Sequence, residues 1–316
     1  PVKARVFKRL FYRHWDSYVE DKRQHLFVCD LSLNASGDLE ASVPRDVTPG
    51  DRDAYPTSTT FSASQDFCFS PDSSHLIFNA VPATEEAWST NYDLCRVPVS
   101  GGTIEWETLT SGNPAADGLP IFSPDGTKLA YRAQRKAGYE ADKWEIMLAE
   151  CSADGSLISN ARSMTAEVDL SFDEIVWCGN DRIIAAAETN ASRGLFGLSL
   201  NAPNIVERCQ SVGSSGSLSI SADGSMLICS NSRLTHPADI YRVRMDSSFL
   251  RTRVPGENLS HANDDLLAEL NMPQPESVTV IGADGDPMQM WILFPPDFDK
   301  SKKWPLAFLV HGGPQG

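Results

Sequence analysis

The phrase Phe69-Ser70-Pro71-Asp72-Ser73-Ser74-His75-Leu76-Ile77-Phe78 returns as Phe122-Ser123-Pro124-Asp125-Gly126-Thr127-Lys128-Leu129-Ala130-Tyr131. A weaker copy is Ile220-Ser221-Ala222-Asp223-Gly224-Ser225-Met226-Leu227-Ile228-Cys229. A degenerate one runs from Ile175-Val176-Trp177 through Gly179-Asn180-Asp181 to Arg182-Ile183-Ile184-Ala185. Each copy has the same local logic. An apolar strand ends, a Ser-Pro-Asp-Gly turn reverses the chain, and an alternating strand leaves. Pro presets φ, Asp bonds to the backbone and Gly accepts positive φ. A third strand follows in each unit, at Tyr92–Val97, Trp144–Ala149, Gly194–Leu198 and Asp239–Val243. A strand repeat of roughly 40–55 residues predicts the blades of a β-propeller.

About four blades are recognisable, and His25-Leu26-Phe27-Val28-Cys29-Asp30-Leu31 supplies part of another. The expected fold class is therefore all-β, with a propeller over residues 1–270. A blade buries one face against the next, so upstream blades are expected. Residues 32–66 and 79–91 read as polar loops, and Ser211 to Ser217 as a Ser/Gly turn region. Asp264 to Leu270 reads as one short helical turn, and little helix is expected.

Repeat phrasing stops before residue 271, where Pro273 and Pro275 mark a linker. Two strands at Glu276–Ile281 and Pro287–Leu293 flank a Gly282-Ala283-Asp284-Gly285 turn. The continuously apolar Pro305–Val310 then reads as a strand covered on both faces. It runs into His311-Gly312-Gly313-Pro314. A H-G-G loop after such a strand suits the oxyanion site of an α/β-hydrolase, because glycines let a backbone N–H approach a developing negative oxygen. Residues 271–316 are thus expected to be the first strands of a truncated hydrolase domain. Gly313 supplies the N–H, while His311 and Gly312 shape the loop.

In this order the motifs resemble the prolyl oligopeptidase family of serine peptidases, in the acylaminoacyl-peptidase and dipeptidyl-peptidase V branch. The residues that carry the resemblance are Tyr12-Arg13-His14-Trp15-Asp16, Lys22 to Val28, the Phe-Ser-Pro-Asp phrases and Gly138-Tyr139-Glu140-Ala141-Asp142-Lys143. Gly282 to Gly285 and His311 to Gly316 complete the set. The resemblance implies a propeller that gates access to a Ser-Asp-His triad, a short-peptide substrate and no cofactor. The G-x-S-x-G elbow that would carry the nucleophile occurs nowhere in the 316 residues; Gly213-Ser214-Ser215-Gly216 has the wrong spacing. Both ends of the sequence look cut, and the chain alone is expected to be inactive.

Two other readings compete. One is a TolB-like propeller that binds proteins, for which the tail 276–316 would have no use. The other is an esterase with a propeller attached. Within the peptidase reading, Glu140 and Asp142, with Tyr139 beside them, are candidates for holding a substrate amine by charge and cation–π contact. The competing role is a solvated acidic loop, or an ion pair with Arg135, Lys136 or Lys143. His14, Trp15 and Asp16 are adjacent and point alternately to opposite faces, which suits a structural or channel-lining role. His25, His75, His236 and His261 show no metal-ligand spacing, and no metal is expected.

Bulk properties agree with a globular chain. Hydrophobic residues make up 41% and charged residues 22%. A formal charge of -15 disfavours nucleic acid. No apolar run is long enough to span a membrane. The seven cysteines lie mostly in strand patterns and read as buried thiols. The sequons at Asn34, Asn190 and Asn258 do not fix a compartment, so a cytoplasmic and a periplasmic or secreted location both stay open, as does oligomerisation.

Overall fold

A computed structural model describes residues 3–8, 10, 12–14, 17–18, 23–54, 66–81, 87–210, 213–245 and 256–310. The chain forms two compact units, 1–166 and 167–316. In the first, strands β1 (Arg13–His14) and β2 (Ser17–Tyr18) pair with each other. Strands β3 (Phe27–Val28), β4 (Leu31–Leu33), β5 (Leu39–Ala41) and β6 (Arg45–Asp46) form one long hairpin, β3 on β6 and β4 on β5. The hairpin includes the strand expected at His25–Leu31. It extends into the 32–66 stretch that reads as loop, because Asn34 to Asp38 folds into a tight turn: Asn34 Oδ1 accepts the N–H groups of Ser36 and Asp38 at 2.9 Å each.

Two four-stranded antiparallel meanders follow. The first sheet is β7 (Phe67–Phe69), β8 (His75–Ala80), β9 (Asp93–Pro98) and β10 (Glu107–Thr108). The second is β11 (Asp117–Phe122), β12 (Lys128–Ala133), β13 (Glu145–Glu150) and β14 (Arg162–Ser163). The second unit holds two more. The third sheet is β15 (Phe172–Trp177), β16 (Arg182–Thr189), β17 (Ser192–Ser199) and β18 (Val206–Gln210). The fourth is β19 (Ser214–Ile220), β20 (Met226–Arg233), β21 (His236–Arg244) and β22 (Glu257–Asn258). Helix α1 (Asp264–Ala268) and a 3-10 turn at Ala283–Gly285 are the helical elements among the described residues.

The repeated phrase sits at one position in every sheet, between its first and second strands. In three copies the bonds match. The Ser70, Ser123 and Ser221 hydroxyls donate to the carboxylates of Asp72, Asp125 and Asp223 at 2.8, 2.6 and 2.6 Å. The same hydroxyls accept the N–H groups of His75, Lys128 and Met226 at 2.9, 3.0 and 3.0 Å. The turn residue is left-handed throughout: Ser73 at φ 60°, Gly126 at 71°, Gly179 at 70° and Gly224 at 69°. The serine bonds hold the Asp125 and Asp223 carboxyls down to about 2.

Strand alternation then distributes the core. On β8 and β9, Leu76, Phe78, Ala80, Cys95 and Val97 pack with Val28 and Val47 of the hairpin. Ile77 and Leu94 point the other way, into a cluster with Leu129, Tyr131 and Ala133 of the second sheet. The first sheet is therefore covered on both faces. In the second unit, Ile184, Ala186 and Leu195 of the third sheet pack against Leu227, Cys229, Tyr241 and Val243 of the fourth. Each fully buried large side chain is worth about 1.5–3 kcal/mol. The cysteines follow this pattern with one exception. Cys95, Cys151, Cys178, Cys209 and Cys229 are buried free thiols and Cys68 is half-buried, but Cys29 is exposed. Burial pushes the Cys68 thiol up to about 12.

Beyond residue 271, β23 (Glu276–Ile281) and β24 (Pro287–Ile292) pair from Glu276↔Ile292 to Ile281↔Pro287, as their flanking turn requires. Pro305–Val310 departs from expectation. It forms no strand, and Leu306 and Leu309 are 87% and 90% exposed. A doubly covered strand needs ladder partners on both sides, and none of the described residues pairs with this run.

Candidate functional site

The loop between β12 and β13 carries the predicted amine-recognition residues. Its conformation is set from within. Gln134 Nε2 donates to the carbonyls of Glu140 at 2.9 Å and Asp142 at 2.8 Å. The Asp142 carboxylate accepts the N–H groups of Arg135 and Lys136 at 2.8 Å each. Burial would raise the Asp142 carboxyl, but these bonds and that of Lys143 N–H outweigh it and hold it below its ordinary value. Lys143 Nζ donates to the Ala166 carbonyl at 2.7 Å. Arg135 pairs with buried Glu145 at 2.8 Å. Lys136 lies 4.5 Å over the Tyr139 ring.

The predicted trio is thus split by geometry. Asp142 is committed to its own loop backbone. Tyr139 and Glu140 stand on the exposed crest. The Glu140 carboxylate is near enough to Tyr92 to add, after burial, to the upward shift of that phenol. His311, Gly312 and Gly313 lie outside the described residues, as do Trp15 and Asp16.

Acids on the strands themselves form networks that sequence reading passed over. The first strands of the second and fourth sheets bulge at Leu119 (φ 54°) and Ser217 (φ 53°). In each case an acid of the preceding sheet accepts the N–H there. Asp66 Oδ1 takes Leu119 N–H at 3.2 Å. Glu174 takes Ser217 N–H at 3.1 Å and Leu218 N–H at 2.5 Å. Arg193 ties Glu174 (2.9 Å) to Asp173 (2.7 Å). In the fourth sheet, buried Asp239 accepts His236 Nε2 at 2.8 Å, Asn258 Nδ2 at 3.1 Å, Ala262 N–H at 2.9 Å and the Ser260 hydroxyl. His236, Asp239 and Asp264 offer ligand atoms within 4.8 Å of one another, a grouping that sequence spacing did not suggest. The acceptor capacity of Asp239 is nevertheless filled by the segment it pins.

No family model matches the chain. Curated relatives do. "Dipeptidyl-peptidase 5" of Trichophyton schoenleinii is 30% identical over 332 residues, covering 99% of this chain and 43% of that protein. The chain therefore spans less than half the length of the curated relatives it matches. Among solved structures, Pyrococcus horikoshii acylaminoacyl peptidase matches with a TM-score of 0.54 at 13% identity, over 75% of this chain and 33% of that one. Porphyromonas gingivalis dipeptidyl peptidase 4 matches with a TM-score of 0.50 at 14% identity, over 86% of this chain and 35% of that one. At such identities the structural likeness speaks for a shared fold. Over its whole length the chain is similar to proteins named dipeptidyl-peptidase 5, the kind of relative that a resemblance to the prolyl oligopeptidase family implies.

Proposed function

We propose that residues 1–270 form the substrate-gating β-propeller of a serine peptidase that cleaves short peptides, of dipeptidyl- or acylaminoacyl-peptidase type. Residues 271–316 are then the opening strands of its α/β-hydrolase domain. The observation that carries this reading is the match of 99% of this chain to a relative named dipeptidyl-peptidase 5. Four equivalent meanders, three of them with the same turn network, support the propeller, since each is the unit from which a blade is made. The H-G-G sequence supports the hydrolase, with Gly313 assigned the oxyanion N–H. A protein-binding propeller would give residues 276–316 no role.

The triad lies outside these 316 residues, so the chain by itself is inert in this reading. A fluorophosphonate probe tests both halves of the claim. It should label the full-length protein and leave the 316-residue chain unlabelled; labelling of the short chain with turnover would refute the assignment. Glu140, presented with Tyr139 by the loop that Asp142 holds, reads the free amine of the substrate. In the full-length enzyme, Glu140→Gln should raise KM for free-amine dipeptide substrates and spare N-acylated ones. Equal effects on both would remove Glu140 from that role.

A further inference from the structure

Strands β4 and β5 carry the long hairpin of the first unit beyond Val28 and Val47, the part that packs on the first sheet. In their register Leu31 pairs with Ala41 and Leu33 with Leu39, so these four side chains share one face. Leu31, Leu33 and Leu39 are 63%, 71% and 67% exposed. Ser32 and Glu40 take the other face, where the Glu40 carboxylate accepts Asn34 Nδ2 at 3.0 Å. Phe27 and Val43, at the base of the hairpin, are exposed as well. The hairpin thus has one polar face, which water satisfies, and one apolar face that the described residues leave open.

A two-stranded hairpin is marginal in water unless its apolar face is covered. With Phe27 and Val43 this face exposes on the order of 600 Å², so two such faces would bury roughly 1,200 Å², the lower bound of a specific interface. Charge selects the occupant. The chain carries a formal charge of -15, so its surface at large repels a second copy. This face bears no charged side chain, and the ions beside it, Asp30 and Arg45, neutralise each other at 2.6 Å. It is also self-complementary, leucine against leucine about a two-fold axis. We infer that the apolar face of the β4–β5 hairpin is a homodimer interface, where it packs on the same face of a second copy as a small β-sandwich. The surface involves neither the Glu140 loop nor the H-G-G sequence and does not rest on the peptidase reading.

The test is sedimentation velocity of the full-length protein over a concentration series from about 1 to about 100 μM. A reversible dimer with a Kd in the micromolar range is expected for an interface of this size. Leu33→Glu and Leu33→Lys should each weaken it about 10-fold or more. Their circular dichroism spectra and melting temperatures should match the parent, because the position is exposed. Mixing the two variants should recover about 10-fold or more of the lost affinity, since each face then meets its opposite charge. A monomer throughout the series would overturn the inference, as would a dimer that both variants leave intact. So would a loss of association that mixing does not restore. Binding of a monomeric parent, but not of the variants, to phosphatidylcholine vesicles would give the face to a membrane and overturn it equally.

Discussion

At the scale of single residues, the turn phrase shows why local chemistry is legible. The bonds of Ser123 to Asp125 and Lys128, and of Asp125 to Thr127, join residues no more than five apart, so the phrase itself carries them. Gly126 adds something the spacing does not show. Besides φ 71°, a Cβ there would fall 2.7 Å from Cβ of Pro71 in the first sheet's turn. Gly126→Ala should therefore destabilise the protein by about 1–3 kcal/mol, read as a lower urea midpoint; an unchanged midpoint would show that the two turns do not bear on each other. Asp117 is the opposite case, because its environment comes from other strands. Asp93 on β9, Thr110 and Asn113 before β11, and Tyr131 on β12 surround it. Burial above all pushes its carboxyl up to about 7. Below about pH 4 the group is protonated folded or unfolded, and ionisation costs nothing. As pH rises through about 7, the unfolded chain releases the proton first, and stability falls by at most about 4 kcal/mol. Asp117→Asn should remove that fall, so the stability gap between variant and parent should widen from pH 4 to pH 8. A gap independent of pH would contradict the shift.

At the scale of elements, the second and third strands of each sheet were readable and the fourth was not; β19 (Ser214–Ile220) overturns the reading of Ser211 to Ser217 as a turn region, because its ladder to β20 outweighs the Ser/Gly composition. The inner three alternate or run apolar over six or more residues in most sheets, as β16 and β17 do. The closing strands β10, β14 and β22 have two residues each, too short to carry a period. The bulge clamps were invisible for another reason. Glu174 and Leu218 are joined by tertiary packing across two sheets, and nothing local to either announces the bond. Glu174→Ala leaves two N–H groups and Arg193 short of an acceptor, and should cost about 2–4 kcal/mol in a thermal or urea melt. A loss under about 0.5 kcal/mol would show that water replaces the clamp. Pro305–Val310 marks the limit of reading apolar runs. Its composition specifies a covered strand, but coverage depends on partners that a run of six residues cannot supply.

At the scale of the whole molecule, the repeat and the H-G-G loop together pointed to a family, and the curated relatives agree over 99% of the chain. Neither alone would suffice. Meanders of this kind also serve binding proteins, and a glycine-rich turn after a strand is common. In the proposed function it is their order along one chain that joins a gate to a reaction centre. The loop proposed for the amine was chosen by its motif, which does not show how its residues are held. That Asp142 turns inward while Glu140 stays on the crest follows from hydrogen bonds to Arg135 and Lys136 that only the folded loop displays. The central claim is that this chain supplies the gate and the oxyanion loop of an acyl-transfer enzyme. It is tested most directly by kcat of the full-length protein on a dipeptidyl p-nitroanilide, measured for the parent and for Gly313→Val. The account predicts turnover by the parent and a loss of about 10²-fold or more in the variant, with its circular dichroism spectrum and melting temperature retained. An unchanged kcat in Gly313→Val, or no turnover by the parent, would contradict it.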